Sequence, residues 1–114
     1  MIVRVRNENR GAVLGDAVTV ADTSATRNMG LLKRKGLNAG EGLWIVPCQS
    51  VHTFFMKFAI DLVYLDRRRR VRKVRHAVPP WRVSGCFWAH SVLELPAGSV
   101  AETGTQPGDQ LSIE

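Results

Sequence analysis

Three residues of the types that serve as acids and bases lie in strand-like, apolar surroundings: His52, Asp61 and Glu94. Asp61 interrupts the run from Ile60 to Leu65, in which both alternating faces of a strand are otherwise apolar. An unpartnered buried carboxylate is costly or takes up a proton, so we expect Asp61 to be partly buried with an arginine, lysine, histidine or backbone amides as partner. It either stabilises the fold or serves a ligand as an acid or base.

His52 and Met56 share one face of a predicted strand from Val51 to Met56, with Phe54 between them. A hairpin through residues 57–59 would bring His52 near the strand of Asp61, in a register that the sequence does not define. A histidine–aspartate pair is a general base. The alternative is a hydrogen-bonded core histidine.

Glu94 alternates with Leu93 and Leu95, so it points away from them, toward solvent or into a cleft. The alternatives are an exposed strand glutamate or a surface ion pair, which contributes about 0 to 1 kcal/mol. Trp81 and Trp88 lie in predicted loops and could line an exposed groove. The candidate ligand-binding set is therefore His52, Met56, Asp61, Glu94 and Trp81.

Two pairs with the same spacing, Cys48 with His52 and Cys86 with His90, consist of residue types that bind zinc. Residues four apart on a strand are separated by roughly 13 Å, so only a turn could bring such a pair to one ion. We expect no metal and no cofactor, because the sequence also lacks a phosphate-binding loop and a dinucleotide fingerprint.

The net charge of +6 is concentrated in one predicted hairpin. Its basic residues are Arg67, Arg68, Arg69, Arg70, Arg72, Lys73 and Arg75. Such a patch attracts polyanions, including nucleic acids, although a solvated charged hairpin is the simpler interpretation.

Short segments of period 2, separated by turns, position these residues. The predicted strands cover residues 2–6, 12–20, 43–46, 51–56, 60–65, 71–78, 91–95 and 110–113. Asp22 or Thr23 could begin one short helix over about residues 23–35, with Met29, Leu32 and Leu31 facing inward and Gly36 ending it. The pattern predicts a mainly β fold, a compact sandwich or barrel.

Several blocks, in order, resemble the family known as domain of unknown function 192 (DUF192). They are Gly30 to Leu32, Gly42 to Ile45, His52 to Met56, Ile60 to Asp66, Pro79 to Arg82, Val92 to Gly98, and Gly108 with Asp109. The resemblance implies a small jelly-roll-like sandwich or squashed barrel. It implies no reaction and no catalytic residue.

The 114 residues are typical of one domain, residues 1–114. We expect a cytoplasmic protein with free thiols, because no apolar stretch has the length of a signal peptide or membrane span. An open sandwich has edge strands, so a monomer or a weak dimer is expected.

The leading functional hypothesis is a binding module whose small cleft takes an anionic small molecule or a peptide segment. One alternative is a hydrolase-type enzyme that uses His52, Asp61 and Glu94, which must then converge around one pocket. The other is nucleic-acid binding through the hairpin of Arg67 to Arg75.

Overall fold

A computed structural model describes residues 1–32 and 34–114 of the chain. Strands dominate the described residues, as predicted. They are β1 (Ile2–Asn7), β2 (Ala12–Ala21), β3 (Glu41–Ile45), β4 (Ser50–His52), β5 (Ile60–Leu65), β6 (Val71–Val78), β7 (Val83–Gly85), β8 (Ser91–Pro96) and β9 (Leu111–Ile113). Two short helices accompany them: α1 (Ser24–Met29) and α2 (Ser99–Thr103).

Seven strands form one sheet in the order β6-β5-β8-β3-β2-β1-β9, and β4 pairs with β7 in a second, two-stranded sheet. The pairing of β2 with β3 is parallel and the other pairings are antiparallel. A bridge between Arg70 and Gln110 joins the chain next to the edge strands β6 and β9. The large sheet is therefore curled into a half-barrel, which confirms the predicted mainly β, squashed-barrel fold.

Both faces of this sheet are covered by apolar side chains. The inner cluster combines residues from both ends of the sheet, such as Val5, Val63 and Leu111, with Val100 of α2. The outer cluster includes Leu62 and Tyr64 of β5, together with Leu31 and Met56 from the segments that cover them. Because it is covered on both faces, β5 is buried at all six positions.

A polar network holds β1 to the turn before β9. The Asn7 side-chain amide donates to Thr105 Oγ1 and to Asp109 Oδ2, both at 3.0 Å. Arg10 Nε donates to the same Asp109 oxygen at 3.1 Å. Burial favours a higher pKa for Asp109, but hydrogen bonds from Arg10, Asn7 and the Gln106 amide outweigh it and hold this pKa below its usual value.

Helix α1 is shorter than predicted, since it ends at Met29 instead of near residue 35. Thr23 begins it with a capping box, in which its side chain and that of Thr26 each accept a hydrogen bond from the other's amide. Gly30, at a φ of 50°, ends it. Met29 is exposed, Leu31 is buried and Leu32 half-buried; the part of the prediction on Lys33 lies outside the described residues.

The predicted strand from Val51 to Met56 is wrong beyond His52. The chain turns there: the Met56 amide donates to the Thr53 carbonyl, and Phe55 has a φ of 66°. The predicted hairpin with β5 is wrong as well, because β4 pairs with β7 while β5 lies between β6 and β8. Neither β7 nor α2 was predicted from the sequence. No helix of the described residues is long and apolar enough to cross a membrane.

Candidate functional site

Asp61 is fully buried, and backbone amides occupy both of its carboxylate oxygens. Oδ1 accepts from the Ala77 amide at 2.8 Å, and Oδ2 accepts from the amides of Gly98 at 3.1 Å and Val100 at 2.8 Å. These bonds tie β5 to β6 and to the start of α2. Asp61 is therefore a structural carboxylate, and the interpretation that it faces a ligand is wrong.

Glu94 is also buried, with 3% of its surface exposed, but it has no such partners. Within the described part of the chain its carboxylate makes no hydrogen bond and no ion pair. Burial alone raises the pKa of Glu94 from 4.5 to about 7. The alternative of an exposed strand glutamate is therefore wrong.

His52, Asp61 and Glu94 do not all converge on one pocket, because Asp61 lies apart from the other two. Cross-strand partners share a face of the sheet, and Glu94 is paired with Leu62 whereas Asp61 is paired with Leu95. Because neighbouring residues on a strand alternate, Glu94 and Asp61 lie on opposite faces. His52 is exposed on the separate two-stranded sheet, where its ring lies 5.0 Å from that of Phe54. The hydrolase hypothesis built on these three residues is therefore wrong.

Glu94 instead faces a cavity of about 460 Å³ between the sheet and the segments that cover its outer face. Ile45 of β3 lies beside Glu94 in the lining. Arg27 of α1 and Leu31, just beyond that helix, line one side. The segment after β3 contributes Cys48, His52 and Met56. Among the described residues the lining is thus mixed: apolar side chains alternate with a carboxylate, a guanidinium, a thiol, an imidazole, the Asn28 amide and the Ser50 hydroxyl, and we call this the Glu94 cavity.

Cys48 is half-buried within this set, and its thiol donates to the Ser50 carbonyl at 3.0 Å. Burial raises the pKa of the Cys48 thiol, the bond to Ser50 opposes that rise, the charge of Glu94 adds to it, and the charge of Arg27 lowers it. Cys48 therefore lies within the electrostatic reach of both charged residues. At ordinary pH it is a neutral thiol, which is a weak nucleophile.

Of the residues proposed from the sequence, His52, Met56 and Glu94 line this cavity, and Asp61 and Trp81 do not. Trp81 is 56% exposed and packs its ring on those of Phe54, at 5.6 Å, and Phe55, at 4.7 Å. Arg27 was not predicted from the sequence. The available signal was its position four residues before the apolar Leu31, which suits one face of a helical turn.

The cysteine–histidine pairs do not form a metal site in the part of the chain that is described, because no three histidine, cysteine, aspartate or glutamate side chains cluster there. Cys48 and Cys86 are both free thiols. The Cys48 amide donates to the His90 carbonyl, so the two pairs are neighbours through their backbone.

The basic hairpin divides into two parts. Its turn, Arg67 to Arg70, is exposed, and Asp66 Oδ1 accepts from the amides of Arg68 and Arg70. Some members have partners within the protein: Arg69, in the turn, lies 5.3 Å above the Trp44 ring, and Lys73 Nζ, on β6, donates to the Gly85 carbonyl at 2.7 Å. Of the seven basic residues, Arg67 and Arg68 line a second depression, which contains Phe87 and Trp88.

Comparison with solved structures identifies the fold. The chain superposes on a protein of unknown function from Novosphingobium aromaticivorans with a TM-score of 0.83 at 24% identity, covering 98% of this chain and 84% of that one. A Sinorhizobium meliloti protein, described as a "putative transcription regulator", gives a TM-score of 0.84 at 21% identity over 96% of this chain and 90% of that one. At these identities the likeness concerns the fold alone.

Sequence comparison identifies the family. A UPF0127 protein of Thermococcus sibiricus is 30% identical over 118 residues, covering 95% of this chain and 73% of its own length. The UPF0127 protein PH1112 of Pyrococcus horikoshii is 33% identical over 111 residues, covering 92% of this chain and 94% of its own length. The family DUF192, described as "Uncharacterized ACR, COG1430", matches residues 4–113. The chain therefore belongs to the DUF192 family.

Proposed function

We propose that this protein is a binding module and that the Glu94 cavity holds its ligand. The observation that carries the proposal is the carboxylate of Glu94, which is buried and has no partner among the described residues. A fold gains nothing from such a group, because burying a charge without compensation is unfavourable. A ligand that supplies the missing partner would remove this cost.

The chemistry of Glu94 restricts the part of the ligand that reaches it. A carboxylate accepts hydrogen bonds, so the inner end of the ligand should carry an amine, amide or hydroxyl donor. The charge of Arg27 suits an anionic group elsewhere on the same ligand. A purely anionic molecule would instead meet the charge of Glu94. The anionic ligand expected from the sequence is thus narrowed to a small molecule or peptide segment that combines a donor with an anionic group.

The size and the walls of the cavity suit a small ligand. Its volume of about 460 Å³ lies within the range of roughly 300–1,000 Å³ that is usual for small-molecule sites. Leu31 and Ile45 supply apolar contact, and Met56 can adapt its shape because its side chain is unbranched and flexible.

Thermal-shift screening followed by titration calorimetry tests the proposal. The panel contains amino acids, short peptides, amino sugars, diamines and dicarboxylates at pH 8, where Glu94 is mostly ionised. We expect stabilising ligands among the compounds with donors, and a Kd at least about tenfold higher for Glu94→Gln, because the charged acceptor is lost. Glu102→Gln, the same change on exposed α2, is the matched control and should leave the Kd unchanged.

Two outcomes would contradict this function. One is a panel in which no compound stabilises the protein. The other is a ligand whose affinity is the same for the wild type and for Glu94→Gln, because that ligand would bind without the residue on which the proposal rests.

A further inference from the structure

Two adjacent aromatic residues project from the loop between β7 and β8. Phe87 is 88% exposed and Trp88 is 77% exposed, and Met1 is the one other large apolar residue of the described chain with comparable exposure. Isolated exposed apolar residues are common, but contiguous apolar surface marks sites of interaction. This pair lies outside the Glu94 cavity and has no role in the proposed ligand site.

Backbone hydrogen bonds hold the loop that carries these rings. The Cys86 amide donates to the Gln49 carbonyl, and the Gln49 side-chain amide donates to the Phe87 carbonyl, both at 2.8 Å. At the other end of the loop, the His90 amide donates to the Leu65 carbonyl at 2.7 Å. The two rings are thus presented on an anchored loop, which reduces the entropy that binding would cost.

Arginine side chains line the depression that contains Phe87 and Trp88, which we call the groove. Arg67 and Arg68, both exposed, lie with Phe87 and Trp88 around a depression of about 680 Å³. Asp66 also lines it, but the Asp66 carboxylate accepts hydrogen bonds from two amides of its own turn. The groove therefore presents two aromatic rings and two guanidinium groups, and the net charge of the chain is +6.

We infer that this groove binds single-stranded nucleic acid. Bases stack on exposed aromatic rings, and phosphates pair with guanidinium groups, so alternating bases and phosphates match the two kinds of side chain in the groove. An unpaired strand is required, since the bases of a duplex are stacked on one another and cannot cover the rings of Phe87 and Trp88. The inference narrows the sequence-based hypothesis from the whole basic hairpin to its turn.

Fluorescence anisotropy of labelled dT12 and U12 tests the inference and separates DNA from RNA. We expect Trp88→Ala to raise the Kd for at least one of these strands by about fivefold to 150-fold, the range measured for loss of one stacked base. Trp81→Ala removes an exposed tryptophan that lies outside the groove. This control should leave the Kd unchanged. Circular dichroism melting should show that both variants stay folded.

The salt dependence of the same binding tests the arginines. Replacing both Arg67 and Arg68 with alanine should reduce the slope of log K against log salt by about 1.4, because each phosphate contact to a single strand contributes about 0.7. Arg4→Ala, an exposed arginine on β1, should leave the slope unchanged. Glu94→Gln should bind both oligonucleotides like the wild type, which keeps this test independent of the proposed ligand site.

Three results would overturn the inference: no binding of either oligonucleotide in low salt, binding that Trp88→Ala does not weaken, or binding with an unchanged salt slope in the double arginine variant. Binding to vesicles of phosphatidylglycerol is measured as well, to test whether the groove binds a lipid surface. Vesicle binding that requires Trp88, in the absence of oligonucleotide binding, would assign the groove to a lipid surface instead.

Discussion

At the scale of single residues, Asp61 and Glu94 show two outcomes for a carboxylate in a buried strand. Asp61 accepts three amide hydrogen bonds, and Glu94 accepts none from the described residues. Burial of Asp61 was predictable because both faces of β5 are apolar. Backbone amides were among its expected partners, but which amides was not predictable, because Gly98 and Val100 lie 37 and 39 residues further along the chain.

Replacing Asp61 with alanine should destabilise the protein by at least about 3 kcal/mol, because three amides would lose their acceptor. Urea unfolding measures this change. Asp22→Ala, an exposed aspartate outside the sheet, should change the free energy of unfolding by no more than about 0.5 kcal/mol. Equal effects of the two substitutions would show that the amide bonds of Asp61 contribute little.

Glu94 should make stability fall as the pH rises. Its pKa is raised in the folded state, so the folded protein holds an extra proton between pH 4.5 and about 7. The free energy of unfolding therefore decreases through this window, by about 3 kcal/mol in total, and this contribution is constant above it. Glu94→Gln removes the effect and should gain stability relative to the wild type as the pH rises from 4.5 to 8.

Urea unfolding of wild type, Glu94→Gln and Glu102→Gln across this pH range measures the difference. Glu102→Gln should follow the wild type at every pH, since Glu102 is exposed. If the difference in the free energy of unfolding between Glu94→Gln and the wild type were the same at every pH, burial would not disfavour the charged form of Glu94.

At the scale of elements, strands with regular alternation were predicted well, and irregular segments were not. The segments 60–65 and 71–78 agree with β5 and β6 to the residue. The segment 51–56 was expected to continue as a strand. Positive φ values at Phe55, after β4, and at Trp81, before β7, instead let the chain turn at both places. Neither φ could be deduced from apolar residues of that kind, because such residues rarely adopt it.

Close contact between β3 and β8 positions Ile45 and Glu94, the residues of the sheet that line the Glu94 cavity. A Cβ atom at Gly42 would lie 2.8 Å from the backbone oxygen of Glu94 and 2.9 Å from Leu95 Cδ2. Gly42→Ala should therefore push β3 from β8 and destabilise the protein by about 1–3 kcal/mol. Chemical denaturation measures the loss, and two-dimensional NMR should show shifts at Glu94.

Gly85→Ala on β7 is the matched control. A Cβ atom there would meet its nearest neighbours at 3.5 Å, which is ordinary contact. This variant should be as stable as the wild type or more stable by up to about 1 kcal/mol, because alanine restricts the unfolded chain. If Gly42→Ala were equally harmless, the close approach of β3 to β8 would not limit the fold.

At the scale of the whole molecule, the turn-separated strands and the family resemblance predicted a mainly β sandwich or squashed barrel, and the structure is a mainly β half-barrel. The sequence did not predict which face of the sheet α1 and the segment after β3 would cover. That coverage depends on long-range packing, and it decides whether Glu94 faces solvent or a cavity. Alternation showed only that Glu94 points away from Leu93 and Leu95.

The network around Asp109 links β1 and the turn after it to the turn before β9, and this network should lose strength in acid. The pKa of Asp109 in the folded protein is held below the usual 3.8. Its contribution to the free energy of unfolding is therefore fully present above pH 3.8 and is lost as the pH falls through the pKa of the folded state. Asp109→Asn should cost about 2 kcal/mol at pH 7 through weakened bonds to Arg10 and Gln106.

Urea unfolding at pH 7 and at about pH 3 measures this effect. The difference in the free energy of unfolding between wild type and Asp109→Asn should be smaller at the lower pH. Asp16→Asn, an exposed aspartate on β2, should match the wild type at both. If the difference in the free energy of unfolding between wild type and Asp109→Asn did not depend on pH, the ionised state of Asp109 would not strengthen this network.

The central claim is that Glu94 is a buried carboxylate that faces a cavity and has no partner among the described residues. A carbon-detected NMR titration of the glutamate side-chain carboxyls, assigned by comparison with Glu94→Gln, measures its pKa directly. We predict a midpoint near pH 7 for Glu94. A midpoint at or below 4.5 would contradict the account, because it would show a carboxylate that is either solvated or already paired.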